Sequence, residues 1–227
     1  MFEISNLSIS IEDRFLIKNL SLTLNQNDKL AIIGEEGNGK STLLKGILGL
    51  CEYAKVTGSI NTKENKIGYL EQSLSENNLK KTGYEFIFGN ANSYNYSKKL
   101  YKYLELLNLD EKLLDQKLKI SMLKLLIEEN DILFLDEPTN DLDIETLNWL
   151  ERFINSRKEP IIYISHDETL LSNTANMILH IEQLKKKKEC KHTLLKVDYD
   201  TYVSERLRKI NKQTQVAKSE KREFDKK

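Results

Sequence analysis

The chain has 227 residues, of which 39% are hydrophobic and 31% charged, with 35 basic and 35 acidic side chains. That leaves room for one large domain, or one domain and an appendage. Two distant cysteines, Cys51 and Cys190, lack the spacing of a disulfide framework or zinc site and suggest a reducing, cytosolic (cytoplasmic) location. Nothing resembles a signal peptide, and no apolar run approaches the ~20 residues of a membrane span, so a membrane would be reached only through a partner.

Along the chain, Phe2-Glu3-Ile4, Leu7-Ser8-Ile9-Ser10-Ile11 and Leu20-Ser21-Leu22-Thr23-Leu24 alternate as antiparallel strands do. Lys29-Leu30-Ala31-Ile32-Ile33 then reads as a buried strand. Directly after it, Gly34-Glu35-Glu36-Gly37-Asn38-Gly39-Lys40-Ser41-Thr42 fits G-x-x-x-x-G-K-[ST]. A buried strand, a glycine-rich turn and a helix make the setting in which backbone amides cradle phosphate. The helix dipole adds to this, Lys40 reaches the β- and γ-phosphates, and the Ser41 hydroxyl can ligate Mg²⁺. The helix is expected over residues 40–50, with Leu43, Leu44, Ile47 and Leu48 on one face.

Short strands follow at Gly58-Ser59-Ile60 and Lys66-Ile67-Gly68-Tyr69-Leu70, and residues 82–129 have a mostly helical period, broken near 90–95 and 109–111. Asp131-Ile132-Leu133-Phe134-Leu135-Asp136-Glu137-Pro138 is an apolar strand ending in two carboxylates. Asp136 can hold Mg²⁺ and Glu137 can polarise an attacking water. Both halves of a nucleoside triphosphate site therefore occur in order. Residues 144–156 read as an amphipathic helix, 160–165 as a buried strand, and 176–182 and 192–197 as later strands about a turn at 185–188. From residue 200 a sparse, charged helix is expected, N-capped by Asp200 and exposed or dependent on a partner.

The neutral total hides an asymmetry: residues 185–227 hold 15 Lys/Arg against 7 Asp/Glu, and residues 1–184 hold 20 against 28. The basic segment is either a contact for RNA or another polyanion, or a solvated helix face. Trp149 reads as core packing, and His180 and His192 as structural. Tyr94, Tyr96, Tyr101 and Tyr103 suit a base-stacking surface or a partly buried helix.

Across nearly its whole length the sequence resembles the ATP-binding cassette superfamily. Residues 34–42 look like its Walker A loop and 133–138 like its Walker B strand with the following glutamate. Gln72 is similar to the Q-loop glutamine that contacts Mg²⁺, and Ser165-His166-Asp167 places His166 as the switch histidine near the γ-phosphate. Phe15 sits where the family stacks an aromatic on adenine, although an edge-of-core Phe fits as well. Pro138-Thr139-Asn140-Asp141-Leu142-Asp143 and Asp198-Tyr199-Asp200-Thr201-Tyr202 narrow the resemblance to subfamily F, whose soluble twin-cassette members act on ribosomes.

The resemblance implies an α/β fold: a P-loop nucleotide-binding domain over 1–197, with an antiparallel β subdomain and a helical subdomain at about 73–129. A charged linker helix over 198–227 would follow, the chain being the first cassette and stopping inside the linker. It also implies ATP and Mg²⁺ as cofactors, a second cassette in cis or in trans as partner, and the ribosome and its RNA as target. The competing readings are the ATP-binding subunit of a membrane transporter gripping a permease, and a nucleotide-gated module without turnover. One departure stands out. Every glycine lies at or before Gly89, so the glycine-bearing signature that precedes Walker B in the family has no counterpart. That signature completes the ATP site of the opposing cassette, so the resemblance implies binding with weak or absent hydrolysis in the isolated chain.

Overall fold

A computed structural model describes residues 1–61, 65–72, 121, 124, 125, 128, 130–140, 142–184 and 189–224. The strands are β1 (Phe2–Ile11), β2 (Arg14–Leu24), β3 (Lys29–Ile33), β4 (Lys55–Asn61), β5 (Ile67–Leu70), β6 (Ile132–Asp136), β7 (Ile161–Ile164), β8 (Met177–Leu184) and β9 (Glu189–Leu195). The described helices are α1 (Lys40–Ile47), α2 (Ile144–Ser156), α3 (Glu168–Thr174) and α4 (Tyr199–Phe224).

Two sheets divide the strands. An antiparallel sheet runs β2-β1-β4, with Ile4 opposite both Leu22 and Ile60. The second runs β5-β6-β7-β3-β8-β9, parallel except for the antiparallel edge strand β9. The sequence pattern placed the second strand only at Leu20–Leu24, whereas β2 begins at Arg14. Asn6 and Asn19 take positive φ (51° and 53°), and the β1–β2 register shifts between Ile4 and Leu7 and again between Leu7 and Ile9. Each bulge resets the inward–outward alternation, so no single period of two runs through the hairpin.

The parallel strands are buried on both faces, which is why β3, β6 and β7 read as unbroken apolar runs. Leu30, Ile32, Ile132, Phe134 and Ile162 pack with Leu43 and Leu44 of α1 and with Phe2, Leu16 and Leu24 of the antiparallel sheet. On the opposite face, Ala31, Leu133, Leu135, Ile161 and Tyr163 pack against Trp149, Leu150 and Ile154 of α2 and Leu170 and Leu171 of α3. Trp149 stacks on Phe153 at 5.3 Å, in keeping with the expected packing role. The expected helical subdomain at 73–129, with its tyrosines and breaks, lies largely outside the described residues, as does the turn at 185–188; within it, Leu125 joins the second core.

The start of α4 differs from expectation. Asp198, not Asp200, is the cap: its Oδ1 accepts from the Thr201 amide at 2.8 Å and its Oδ2 from the Thr201 hydroxyl at 3.0 Å. Asp200 instead accepts from the Ser172 hydroxyl at 2.8 Å, tying the first turn of α4 to α3. Two residues decide the cap, because only Asp198 stands three positions before an amide that the helix leaves unpaired.

Beyond that turn the described side chains of the helix bury little. Tyr202 is buried, but Leu207 and Ile210 are 55% and 45% exposed. A polar knot does the docking: Arg206 Nη1 lies 2.7 Å from His180 Nδ1 and 3.3 Å from the Tyr202 hydroxyl, and its Nη2 donates to Glu182 Oε1 at 3.0 Å. Arginine only donates, so His180 Nδ1 accepts and the ring proton sits on Nε2. Burial and the Arg206 charge lower the His180 pKa, and Lys191 adds to this, while Glu182 and Glu35 oppose it.

The sign follows: an undocked His180 takes a proton at pH values where the docked one does not, so docking is lost as pH falls below about 6.5. Arg206→Ala is expected to release the first turns of α4 with a loss of about 1 kcal/mol, small because the guanidinium is partly solvated. Hydrogen exchange of the α4 amides measures both effects. Protection that is indifferent to Arg206 and to pH counts against the knot.

Candidate nucleotide site

Parallel β3, β5, β6 and β7 all end on one side of the sheet, where open α/β folds bind ligands. Their C-terminal exits deliver the loop at 34–39, Gln72, Asp136 with Glu137, and His166. Lys40, Ser41, Thr42, Gln72, Glu137 and His166 line one cleft of about 510 Å³, together with Glu36, Gly37 and Gly39. Thr139 and Asn140 complete its wall.

The loop needs its glycines. Gly34 has φ 150°, and a methyl group on it would stand 2.4 Å from the Ile181 carbonyl oxygen of β8. Gly39 adopts a left-handed conformation (φ 87°) against Leu16, and as the residue before α1 it offers no side chain to cap the helix. An external anion at that N-terminus suits both the amides and the dipole. Asn38 is turned inward, its side-chain amide donating to the Ile181 carbonyl at 3.2 Å, so it fastens the loop to β8. Glu35 contributes its carbonyl, and Arg14 braces the loop from β2 by donating to the Gly37 carbonyl at 3.0 Å.

Lys40 Nζ curls over the loop and donates to the carbonyls of Gly34 (2.9 Å) and Glu35 (3.2 Å). Burial lowers its pKa, and Glu137, Glu36 and Asp136 pull it back up. Across the cleft the Ser41 hydroxyl donates to Asp136 Oδ1 at 2.9 Å. Asp136 is fully buried, and its Oδ2 has no hydrogen-bond partner among the described residues. Burial raises the Asp136 pKa against the Ser41 hydrogen bond, the charges of Lys45 and Lys40, and the Tyr69 hydroxyl.

Glu137 follows with φ 51°, a strained backbone for a glutamate, held by its amide on the Ile164 carbonyl at 3.1 Å. Its Oε1 lies 3.3 Å from His166 Nε2. Burial raises the Glu137 pKa, His166 and Lys40 oppose this, and Asp136 reinforces it. The Ser165 hydroxyl positions His166 from behind, accepting from the Asp167 amide at 3.0 Å and pairing with the Thr139 hydroxyl at 3.2 Å.

The donor set fits a hard dication bound with a polyphosphate. An orphaned carboxylate oxygen beside a hydroxyl supplies oxygen ligands, and a lysine stands ready for phosphate. No three His, Cys, Asp or Glu side chains among the described residues converge on one point. Phe15 stands outside the cleft lining. Its ring is 38% exposed, with Lys18 Nζ 4.1 Å from the centroid, on the hairpin whose Arg14 touches the loop.

A family profile described as ABC transporter matches residues 17–140, a span that includes the loop, the acidic strand and Thr139 with Asn140. This chain belongs to the ABC transporter family. The cassette is 31% identical over 197 residues to the ATP-binding protein Uup of Buchnera aphidicola, covering 81% of this chain and 33% of that protein. It is 32% identical over 192 residues to ABC transporter F family member 5 of Arabidopsis thaliana, covering 79% and 27%. It is 32% identical over 187 residues to the ribosome protection protein VmlR of Bacillus subtilis, covering 79% and 34%.

The chain thus spans about a third of the length of the curated relatives it matches. Among solved structures, the ATP-binding cassette MJ0796 in a dimeric post-hydrolysis state with ADP and Pi superimposes with a TM-score of 0.63. That match has 19% identity, 87% coverage of this chain and 99% of the other, and it establishes the cassette fold. No described helix is long and apolar enough to cross a membrane.

Thr139, Asn140 and Arg14 join the site without being among the expected site residues. Thr139 and Asn140 follow Glu137 and Pro138 within residues 138–143, so their neighbourhood is a usable signal. Arg14 had none, because only tertiary pairing of the hairpin with the loop brings it there.

Proposed function

We propose that this cassette binds Mg²⁺-ATP and is one ATPase half of a subfamily F protein acting on the ribosome in the cytoplasm, as a translation factor or in antibiotic protection. One observation carries the nucleotide reading: the Ser41–Asp136 hydrogen bond and the Glu137–His166 contact stand beside Lys40 at the mouth of a glycine loop. In this reading Ser41, Asp136 and Gln72 hold the cation, and residues 34–42 wrap the phosphates. Mg²⁺, when bound, supplies charge neutralisation on the β- and γ-oxygens. Glu137 takes the proton of the attacking water, and its raised pKa makes it the stronger base. His166 steadies the γ-phosphate and the Glu137 carboxylate. Phe15, flanking the loop, is assigned to the base.

The ribosomal half of the proposal is supported by the likeness to VmlR and by the basic, sparsely packed α4. Turnover depends on a partner cassette, because no glycine follows Gly89 to build the signature that stabilises the transferring phosphoryl group. The purified chain is expected to take up labelled ATP saturably with Mg²⁺, to release phosphate far more slowly than an intact twin-cassette protein, and to co-purify with ribosomal RNA. Phosphate release equal to the intact protein's defeats the partner requirement. A membrane permease in place of the RNA moves the chain to the transporter reading.

A further inference from the structure

The loop pattern leaves the positions between its outer glycines free, and this chain fills two of them with acids, Glu35 and Glu36. A loop built to gather anions gains nothing from carboxylates of its own. The two differ in what they face. Glu36 is exposed and lines the cleft together with Lys40, Gln72 and Glu137. Glu35 stands outside that wall, and its charge acts on His180 of β8. The backbone around them is fastened: the Asn38 amide donates to the Glu35 carbonyl at 3.3 Å, and Arg14 donates to the Gly37 carbonyl at 3.0 Å. Glu36 is therefore presented to the cleft by a fixed turn.

Burial lowers the Lys40 pKa, and Glu137, Glu36 and Asp136, in that order, oppose it. The ammonium that the phosphates need is thus shared among three carboxylates. Among the described side chains of the wall, one lysine faces two acids, with Asp136 one hydrogen bond away through Ser41. Asp136 has the cation to hold and Glu137 the water to polarise. Glu36 has neither task. What it adds is negative charge where a triphosphate must enter. Mg²⁺ cuts the net charge of a nucleoside triphosphate from about four negative to about two. Repulsion from a fixed carboxylate scales with that charge, so it falls hardest on the metal-free form.

We propose that Glu36 is a specificity residue, its carboxylate at the cleft rim beside Lys40 rejecting metal-free nucleotide and so tying uptake to a divalent cation. The inference rests on the Mg²⁺-nucleotide reading above. Glu36→Gln removes the charge and keeps the shape of the side chain. Glu35→Gln removes an equal charge from the same loop, away from the cleft.

The test measures binding of a fluorescent ATP analogue to the three proteins, with excess Mg²⁺ and in EDTA, at low and high salt. Glu36→Gln is expected to bind about threefold more tightly with Mg²⁺ and about tenfold or more in EDTA, a modest gain because the side chain is solvated. Both gains should shrink as salt screens the charges. Glu35→Gln should move the ratio of the two affinities by a smaller factor. An equal gain with and without Mg²⁺, an equal effect of the two substitutions, or no metal-free binding by Glu36→Gln overturns the assignment. Weaker Mg²⁺-nucleotide binding in Glu36→Gln marks the carboxylate as a ligand of the cation and overturns it too. If the unaltered protein shows no saturable uptake even with Mg²⁺, the nucleotide reading itself has failed; saturable uptake with an unchanged ratio sinks only the role of Glu36.

Discussion

Replacing Lys40 with alanine is expected to weaken uptake of Mg²⁺-ATP by about 10- to 150-fold, the equivalent of one charge-assisted hydrogen bond of about 1.5–3 kcal/mol. Nothing else in the described cleft offers the phosphates a side-chain cation from the loop itself. Without nucleotide, Lys40 Nζ is occupied by the carbonyls of Gly34 and Glu35. Those contacts hold the ammonium over the loop, so little rearrangement precedes phosphate binding. Equilibrium binding of labelled ATP, with circular dichroism as the control for folding, measures the effect. Undiminished affinity in a folded Lys40→Ala protein removes the basis of the nucleotide reading.

Glu137→Gln separates binding from chemistry. The amide keeps the shape of the side chain, and the backbone bond to Ile164 is untouched. Single-turnover hydrolysis is expected to fall by about 10²- to 10⁴-fold, the range of a lost general base. Nucleotide affinity should hold or tighten, since a negative charge next to Asp136 has gone. The melting temperature at pH 7 should also hold or rise. Burial raises the Glu137 pKa, so its ionised form at neutral pH is a cost to the folded state, and the amide carries no such cost. An unchanged hydrolysis rate would show that another group takes the proton.

The cleft was legible where local chemistry and strand order coincide. The glycine loop after β3, the acidic end of β6 and the histidine after β7 are each short motifs, and the rule that ligands gather at the carboxyl ends of parallel strands brings them together. Less could be read where geometry depends on neighbours. The bulges at Asn6 and Asn19 hid the start of β2, while the split into two sheets shows in the contrast between the alternating strands β1 and β2 and the unbroken apolar runs of β3, β6 and β7. Asp198 and Asp200 are chemically equal as caps, and only the turn's position chose between them.

The docking of α4 has a mechanical outcome. A helix of 26 residues is a rod roughly 39 Å long, and the described side chains fasten it over only its first few turns. The strand that receives Arg206 also offers the Ile181 carbonyl to Asn38 of the glycine loop. The glycine loop and the first turns of α4 are therefore fastened to one strand, β8, at successive residues 180–182.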